Sequence, residues 1–288
     1  MFATNVDDGT RRRAGRHRRR STTRGDALRA LAGGLALVAL AALTGTGPAA
    51  APVPAAVAST TPVGERAGKV CEKFGSTPVE GGRYEVQNSL WGSDKPQCVV
   101  AFDTGFSVEA KHSNDSGPAS YPSIVFGCNY GNCTKGTPFP RPIADLGDLR
   151  SSWATTTPSS GDYNVAYDIW LDPTARKDGR PTGLELMIWL KHTDRVQPIG
   201  KKTGETTLGG VPYEVWLGKA DLPTISYVRK EQTNEVKDLD ITAFVTDAKN
   251  RGQAKEGWYL TSIQAGFEPW IGGDGLKTTS YSVTRDGQ

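Results

Sequence analysis

Leu184-Glu185-Leu186-Met187-Ile188-Trp189-Leu190 is the stretch whose reading decides the fold. In a strand, successive side chains point to opposite faces. Leu184, Leu186, Ile188 and Leu190 then form one apolar stripe for a core. Glu185, Met187 and Trp189 share the other face. A carboxylate in line with a thioether and an indole is unusual on a solvated face, where Lys, Thr or Ser is expected. It suits the floor of a groove in which a ring-shaped ligand lies on Trp189 with Glu185 beneath one of its bonds.

Working outward, short runs of the same period recur, separated by Gly, Pro, Asn and Asp. They are Arg83–Leu90, Val99–Ala110, Ser123–Phe126, Tyr163–Leu171, Val211–Leu217, Thr224–Arg229, Trp258–Phe267 and Ser280–Thr284. Such spacing predicts an all-β sandwich or barrel. One segment departs from it. Asp240 caps a predicted helix from about Ile241 to Lys249, with Gly252 just past its end. Ile241, Phe244, Val245 and Ala248 share one face, so the helix should pack on the outside of a sheet. No linker divides residues 65–288, which read as one domain.

Two more runs repeat the pairing of acid and indole. Gln264, Gly266, Glu268 and Trp270 share a face, opposite Ile263, Ala265 and Phe267. Gly266 is expected to leave room for a ligand, and Pro269 to mark an edge or bulge. Asp168 and Trp170 lie together in the run around Tyr167. Two carboxylates across a cleft are what glycosidic bond hydrolysis needs, one as acid and one as nucleophile or base. Trp faces stack on pyranose rings, while Asn and Gln read hydroxyls. Asn88 and Trp91, in Asn88-Ser89-Leu90-Trp91-Gly92, fit those two roles.

The formal net charge of +3 is misleading, because residues 1–30 carry nine Arg against Asp7, Asp8 and Asp26. Residues 1–58 read as a secretory leader with a basic start, an Ala/Leu-rich stretch from Ala30 to Leu43, and Ala56-Val57-Ala58 before a cut at Ser59. Removing that leader turns +3 into −3. No basic stripe is left for a nucleic-acid backbone. The mature chain is expected to be secreted, extracellular, monomeric and free of the membrane, with residues 59–70 as a short N-terminal segment and 71–288 as the catalytic domain.

Four cysteines follow the leader, an even count that argues for two disulfides in an exported chain. Cys128 and Cys133 enclose the turn-forming Asn-Tyr-Gly-Asn and are paired locally, which leaves Cys71 for Cys98. Neither His112 nor His192 sits at ligand spacing from a cysteine, so no metal is expected, and no cofactor motif is present. Nor does either histidine accompany a Gly-X-Ser-X-Gly elbow, which argues against a Ser/His/Asp hydrolase.

Taken together, these motifs resemble glycoside hydrolase family 12, retaining endo-β-1,4-glucanases that include xyloglucan-cleaving members. The likeness covers nearly all of Cys71 to Thr284. It adds Phe126-Gly127-Cys128-Asn129-Tyr130-Gly131-Asn132-Cys133, Val196-Gln197-Pro198-Ile199-Gly200 and Ile225-Ser226-Tyr227-Val228-Arg229 to the runs above. The resemblance implies a β-jelly-roll of two curved antiparallel sheets with one packed helix, and an open cleft along a β-glucan chain. It implies Glu185 as nucleophile, Glu268 as general acid/base and Asp168 as a supporting acid. Asn88, Trp91, Met187, Trp189, Gln264 and Trp270 are the expected substrate contacts. Position 89 departs, being Ser where many members have Asn. The lack of a cellulose-binding module points to soluble or amorphous glucan. The rivals are a β-sandwich lectin using the same cleft without cleavage, and a related jelly-roll xylanase, for which no thumb hairpin is found.

Overall fold

The computed structural model describes residues 66–288, so the leader lies outside the described residues. In chain order the strands are β1 (Arg66–Val70), β2 (Ser76–Val79), β3 (Tyr84–Gln87), β4 (Gln97–Phe102), β5 (Gly105–Ser113), β6 (Ser123–Asn129), β7 (Asn132–Cys133), β8 (Arg141–Pro142) and β9 (Leu149–Thr156). They continue as β10 (Asp162–Asp172), β11 (Leu184–His192), β12 (Lys201–Leu208), β13 (Val211–Lys219), β14 (Pro223–Arg229) and β15 (Glu235–Asp240). After α1 (Ile241–Asn250) come β16 (Tyr259–Gly273) and β17 (Lys277–Arg285).

One sheet runs β1-β4-β5-β17-β9-β15. The other runs β2-β3-β6-β16-β10-β11-β14-β13-β12. Strand β5 belongs to both: Phe106 and Ser107 pair with β17, whereas Lys111, His112 and Ser113 pair with β16. Between the sheets lies the main core. The β11 stripe of Leu184, Leu186, Ile188 and Leu190 enters it whole, as do Ile263, Ala265 and Phe267 of β16. Burying the leucine, isoleucine and phenylalanine side chains among them stabilises by about 1.5–3 kcal/mol each. Aromatic edges lock the layers, with Trp153 5.0 Å from Tyr167 and Phe106 5.8 Å from Phe267 between ring centres. These arrangements match the aromatic geometry that adds to simple burial.

The helix begins as read, with Asp240 accepting a hydrogen bond from the Ala243 amide. Its Phe244 packs edge-on to Tyr213 and Tyr227, and Ile241, Val245 and Ala248 join the main core with it, so the helix covers the core side of the second sheet and not the outside expected from its pattern. Both disulfides are present, Cys71 to Cys98 and Cys128 to Cys133.

Several expectations are corrected. The Val99–Ala110 run is a hairpin, because Asp103 takes a left-handed φ of 39° and turns β4 back into β5. Antiparallel pairing holds for every pair among the described residues but β11–β14, which is parallel. The chain leaves β11, makes the β12–β13 hairpin at the sheet's edge, and returns β14 into the gap beside β11. Strand β1, expected only as a leading segment, pairs with β4 inside the first sheet. Lastly, Gly266 does not make room for a ligand. A Cβ there would lie 2.4 Å from the Pro122 carbonyl oxygen and 2.8 Å from the Ser123 Cβ. The neighbouring strand needs that glycine. Gly266→Ala should therefore lower unfolding free energy by about 2–3 kcal/mol in a denaturant titration, and an unchanged midpoint would refute this account.

Candidate active site

The second sheet turns its other face away from the core, and its strand register sets out the site in rows. Asp168 of β10 lies between Gln264 of β16 and Met187 of β11. In the next row Trp170 lies between Ser262 and Glu185, and Glu185 faces Thr224 of β14. Further along, Glu268 faces Asn164. Glu185, Asp168 and Glu268 thus come from three adjacent strands onto one face.

Their electrostatics show that they share one field. Burial, and then the charge of Glu185, push the Glu268 carboxyl up to about 7. Asp168 is held well above the usual carboxylate range by burial, then by the charges of Glu185 and Glu268. Burial also raises Glu185, while the Thr224 hydroxyl, donating to its Oε2 at 2.8 Å, favours the ionised form. Like charges in a poorly solvated place cannot all ionise together. The arrangement therefore sorts the three groups, with Asp168 and Glu268 holding protons and Glu185 the charge.

Asn164 holds Glu268 in place. Its Nδ2 donates to Glu268 Oε2, and its Oδ1 accepts from the Glu268 backbone N–H at 3.1 Å. With Oε2 occupied in this way, Oε1 is the oxygen left to carry the proton. Tyr121 completes the surroundings. Its hydroxyl donates to the Ala166 carbonyl at 2.8 Å. Burial and the charges of Asp168, Glu268 and Glu185 hold the phenol well above 10, so it stays neutral.

Of the expected contacts, Trp91 is 52% exposed and stands beside a groove of about 620 Å³ lined with Gly92, Ser93, Asp94, Lys95 and Asn114. Met187 and Trp189 lie on the expected face but are buried, packed with Ala166, Val196 and Val228. The Trp189 indole N–H donates to the Met187 sulfur at 3.4 Å. They form a floor, against which Trp270 and Trp216 rest half-buried. Gln264 is buried in that floor between Ser123 and Ser262.

Asn88 is a correction. It is wholly buried, with Nδ2 donating to the carbonyls of Glu72 and Gln97 and Oδ1 accepting from Gln97 Nε2. Gln97 Oε1 in turn accepts from Ser120 and lies 2.8 Å from His112 Nε2. No polar atom of Asn88 is left for a sugar. It anchors the start of the Trp91 loop instead. Asn164, Thr224 and Tyr121 were missed by sequence reasoning, because their partners sit 104, 39 and 45 residues away. The one available signal was the alternation that puts Asn164 on the same face as Asp168.

A family model described as glycosyl hydrolase family 12 matches residues 82–286. A probable cellulase Cel12b of Mycobacterium tuberculosis is 35% identical over 149 residues, covering 51% of this chain and 97% of its own. Xyloglucan-specific endo-β-1,4-glucanase A of Aspergillus niger is 28% identical over 214 residues, covering 70% of this chain and 86% of its own. The structure of endoglucanase Cel12A from Rhodothermus marinus is similar at a TM-score of 0.73 and 40% identity, covering 75% of this chain and 97% of that one.

The Asn164 contact makes a signed prediction. Its N–H favours ionised Glu268, so Asn164→Ala should raise the Glu268 pKa above about 7. A carbon-13 titration of the labelled Glu carboxyls reads this directly. A midpoint that falls or stays put would remove Asn164 from its assigned role.

Proposed function

Because this chain belongs to glycosyl hydrolase family 12, we propose that it is an endo-acting β-1,4-glucanase that cuts internal bonds of soluble or amorphous glucans with retention of configuration. What supports this reading most is the carboxyl set on adjacent strands: Glu268 is pushed up to about 7 by burial and by the charge of Glu185, whose own ionised form the Thr224 hydroxyl favours. A lectin has no need of such a pair. The chain is read as exported after loss of residues 1–58 and active as a monomer. Among the described residues, no helix is long and apolar enough to cross a membrane.

In the first step Glu268 gives its proton to the glycosidic oxygen while a Glu185 oxygen bonds to the anomeric carbon. The carbon–oxygen bond breaks, and the reducing-end portion leaves with the proton. Water then attacks the same carbon, passing a proton to Glu268 and releasing Glu185. Two inversions retain the configuration, and carboxyls in this mechanism stand about 5–5.5 Å apart. Asp168, protonated beside the nucleophile, steadies the charge on Glu185. Trp91 carries a sugar ring on the non-reducing side, while Met187 and Trp189 keep water from beneath the reacting ring.

Activity should follow a bell. It falls as pH rises through about 7, where Glu268 loses its proton, and falls as pH drops through the raised value of Glu185, where the nucleophile becomes protonated. A profile flat to high pH would refute the acid assignment.

Reducing-end release from soluble mixed-linkage β-glucan tests the whole reading. The wild type should release sugar rapidly, Glu185→Gln almost none while folded, and Glu268→Gln about 10²–10⁴-fold less. No release by any protein, with glucan still bound, would indicate a lectin. Equal release by wild type and Glu185→Gln would keep the enzyme and discard the nucleophile. Xyloglucan cleavage is the second reading, favoured by the relatives named for it, and rates on the two polymers side by side decide it.

A further inference from the structure

The loop closed by Cys128 and Cys133 carries Tyr130 at its tip, and nothing in the mechanism uses that residue. The residue is 63% exposed, so it adds little to the core. Its backbone has a φ of 48°, a left-handed conformation that Gly and Asn adopt readily and a bulky aromatic does not. Strain of this kind persists only where the surroundings impose it, and it clusters at functional positions.

Here the surroundings impose it from several sides. The disulfide closes the loop. The Gly131 amide donates to the Lys177 carbonyl at 3.1 Å. Asn129 Nδ2 donates to Gln87 Oε1 at 2.9 Å, and Asn132 Nδ2 to Ser76 Oγ at 3.2 Å. The last two bonds also locate the loop. Gln87 faces Ser76 on one side and Ser123 on the other, and the Ser123 hydroxyl donates to Gln264 of the cleft floor. Paired residues share a face, so the loop lies on the cleft side at the β2–β3 edge. The Trp91 loop leaves β3 at that same edge.

The strand register gives the reach. Glu185, Trp170, Ser262 and Gly127 lie in one row, three strand spacings or roughly 14 Å across. Tyr130 follows Gly127 by three residues. We propose that Tyr130 is a rigid stacking platform for a pyranose ring of the bound β-glucan, several sugars away from the bond that is cut. This rests on the glucanase reading. The loop presents an exposed ring at the rim of the cleft, pre-ordered by its clamps, so little freedom is lost when a sugar settles on it.

The test is chain-length dependence, with cellotriose and cellohexaose as ligands titrated into Glu185→Gln protein and as substrates of the active one. Adding Tyr130→Ala should weaken cellohexaose binding about fivefold and leave cellotriose unchanged, with the matching loss of kcat/KM carried by KM. Tyr130→Phe should restore both. Tyr130→Asn should lose affinity like the alanine variant yet raise the melting midpoint by about 2–4 °C, because it relieves the backbone. Equal affinity for cellohexaose in all four proteins, or an equal loss for both lengths, overturns the platform. If wild type cuts neither oligosaccharide, the glucanase reading fails, and the length dependence of binding still decides Tyr130.

Discussion

Three carboxyl groups on one strand-built face repel one another, and much of the second sheet serves to hold them there. Water would dissipate the repulsion, so the floor beneath them is made of Met187, Trp189, Val196 and Val228. Ionisation of all three would be intolerable, so protons are retained on Asp168 and Glu268. That retention has a thermodynamic side. A carboxyl whose folded pKa lies above its unfolded value of about 4.5 binds more protons folded than unfolded in the interval between them. Stability contributed by that proton is present at low pH and declines from about pH 4.5 to about 7 for Glu268. The carboxyl-bearing face is thus a place where the fold is weakened by its own charges, and the apolar layer behind β11 and β16 offsets the loss.

How much of this was legible depended on whether a signal lay within one strand or between two. The β11 face assignment follows from alternation alone, and every residue of the Leu184–Leu190 stripe lies where the period puts it. The same holds for Ile263, Ala265 and Phe267, and for the helix capped by Asp240. Partnerships across strands follow no local rule. Asn164 meets Glu268 because β10 and β16 happen to align there, and no pattern near either residue announces it. Asn88 illustrates the converse. An asparagine three residues before an exposed Trp has the look of a sugar reader, yet its amide is spent on Gln97 and Glu72 under the loop.

Glycines misled for a related reason. Gly266 sits on the cleft face, where a missing side chain suggests space for a ligand, but the close neighbour is the backbone at Pro122. Strand β9 alternates Leu149, Ser151, Trp153 and Thr155 inward, but the small hydroxyls in that stripe hide its period from an apolar reading. Ser151 can be buried because its hydroxyl lies 3.0 Å from that of Tyr167 and donates to the Ser282 carbonyl. The pairing of a polar residue with its partner is again a fact of register.

Strand β12 was the least legible of all, Lys201-Lys202-Thr203-Gly204-Glu205-Thr206-Thr207-Leu208, with few apolar residues to reveal it. Among the described residues it is also the last strand of its sheet, bonded only to β13. An outermost strand offers a row of free amides and carbonyls to any other chain, and lysines are among the residues that discourage such additions. Lys201 and Lys202 stand there, with a glycine breaking the run two residues on. The composition that hid β12 from view is of the kind that discourages separate copies of a protein from joining edge to edge into a growing sheet.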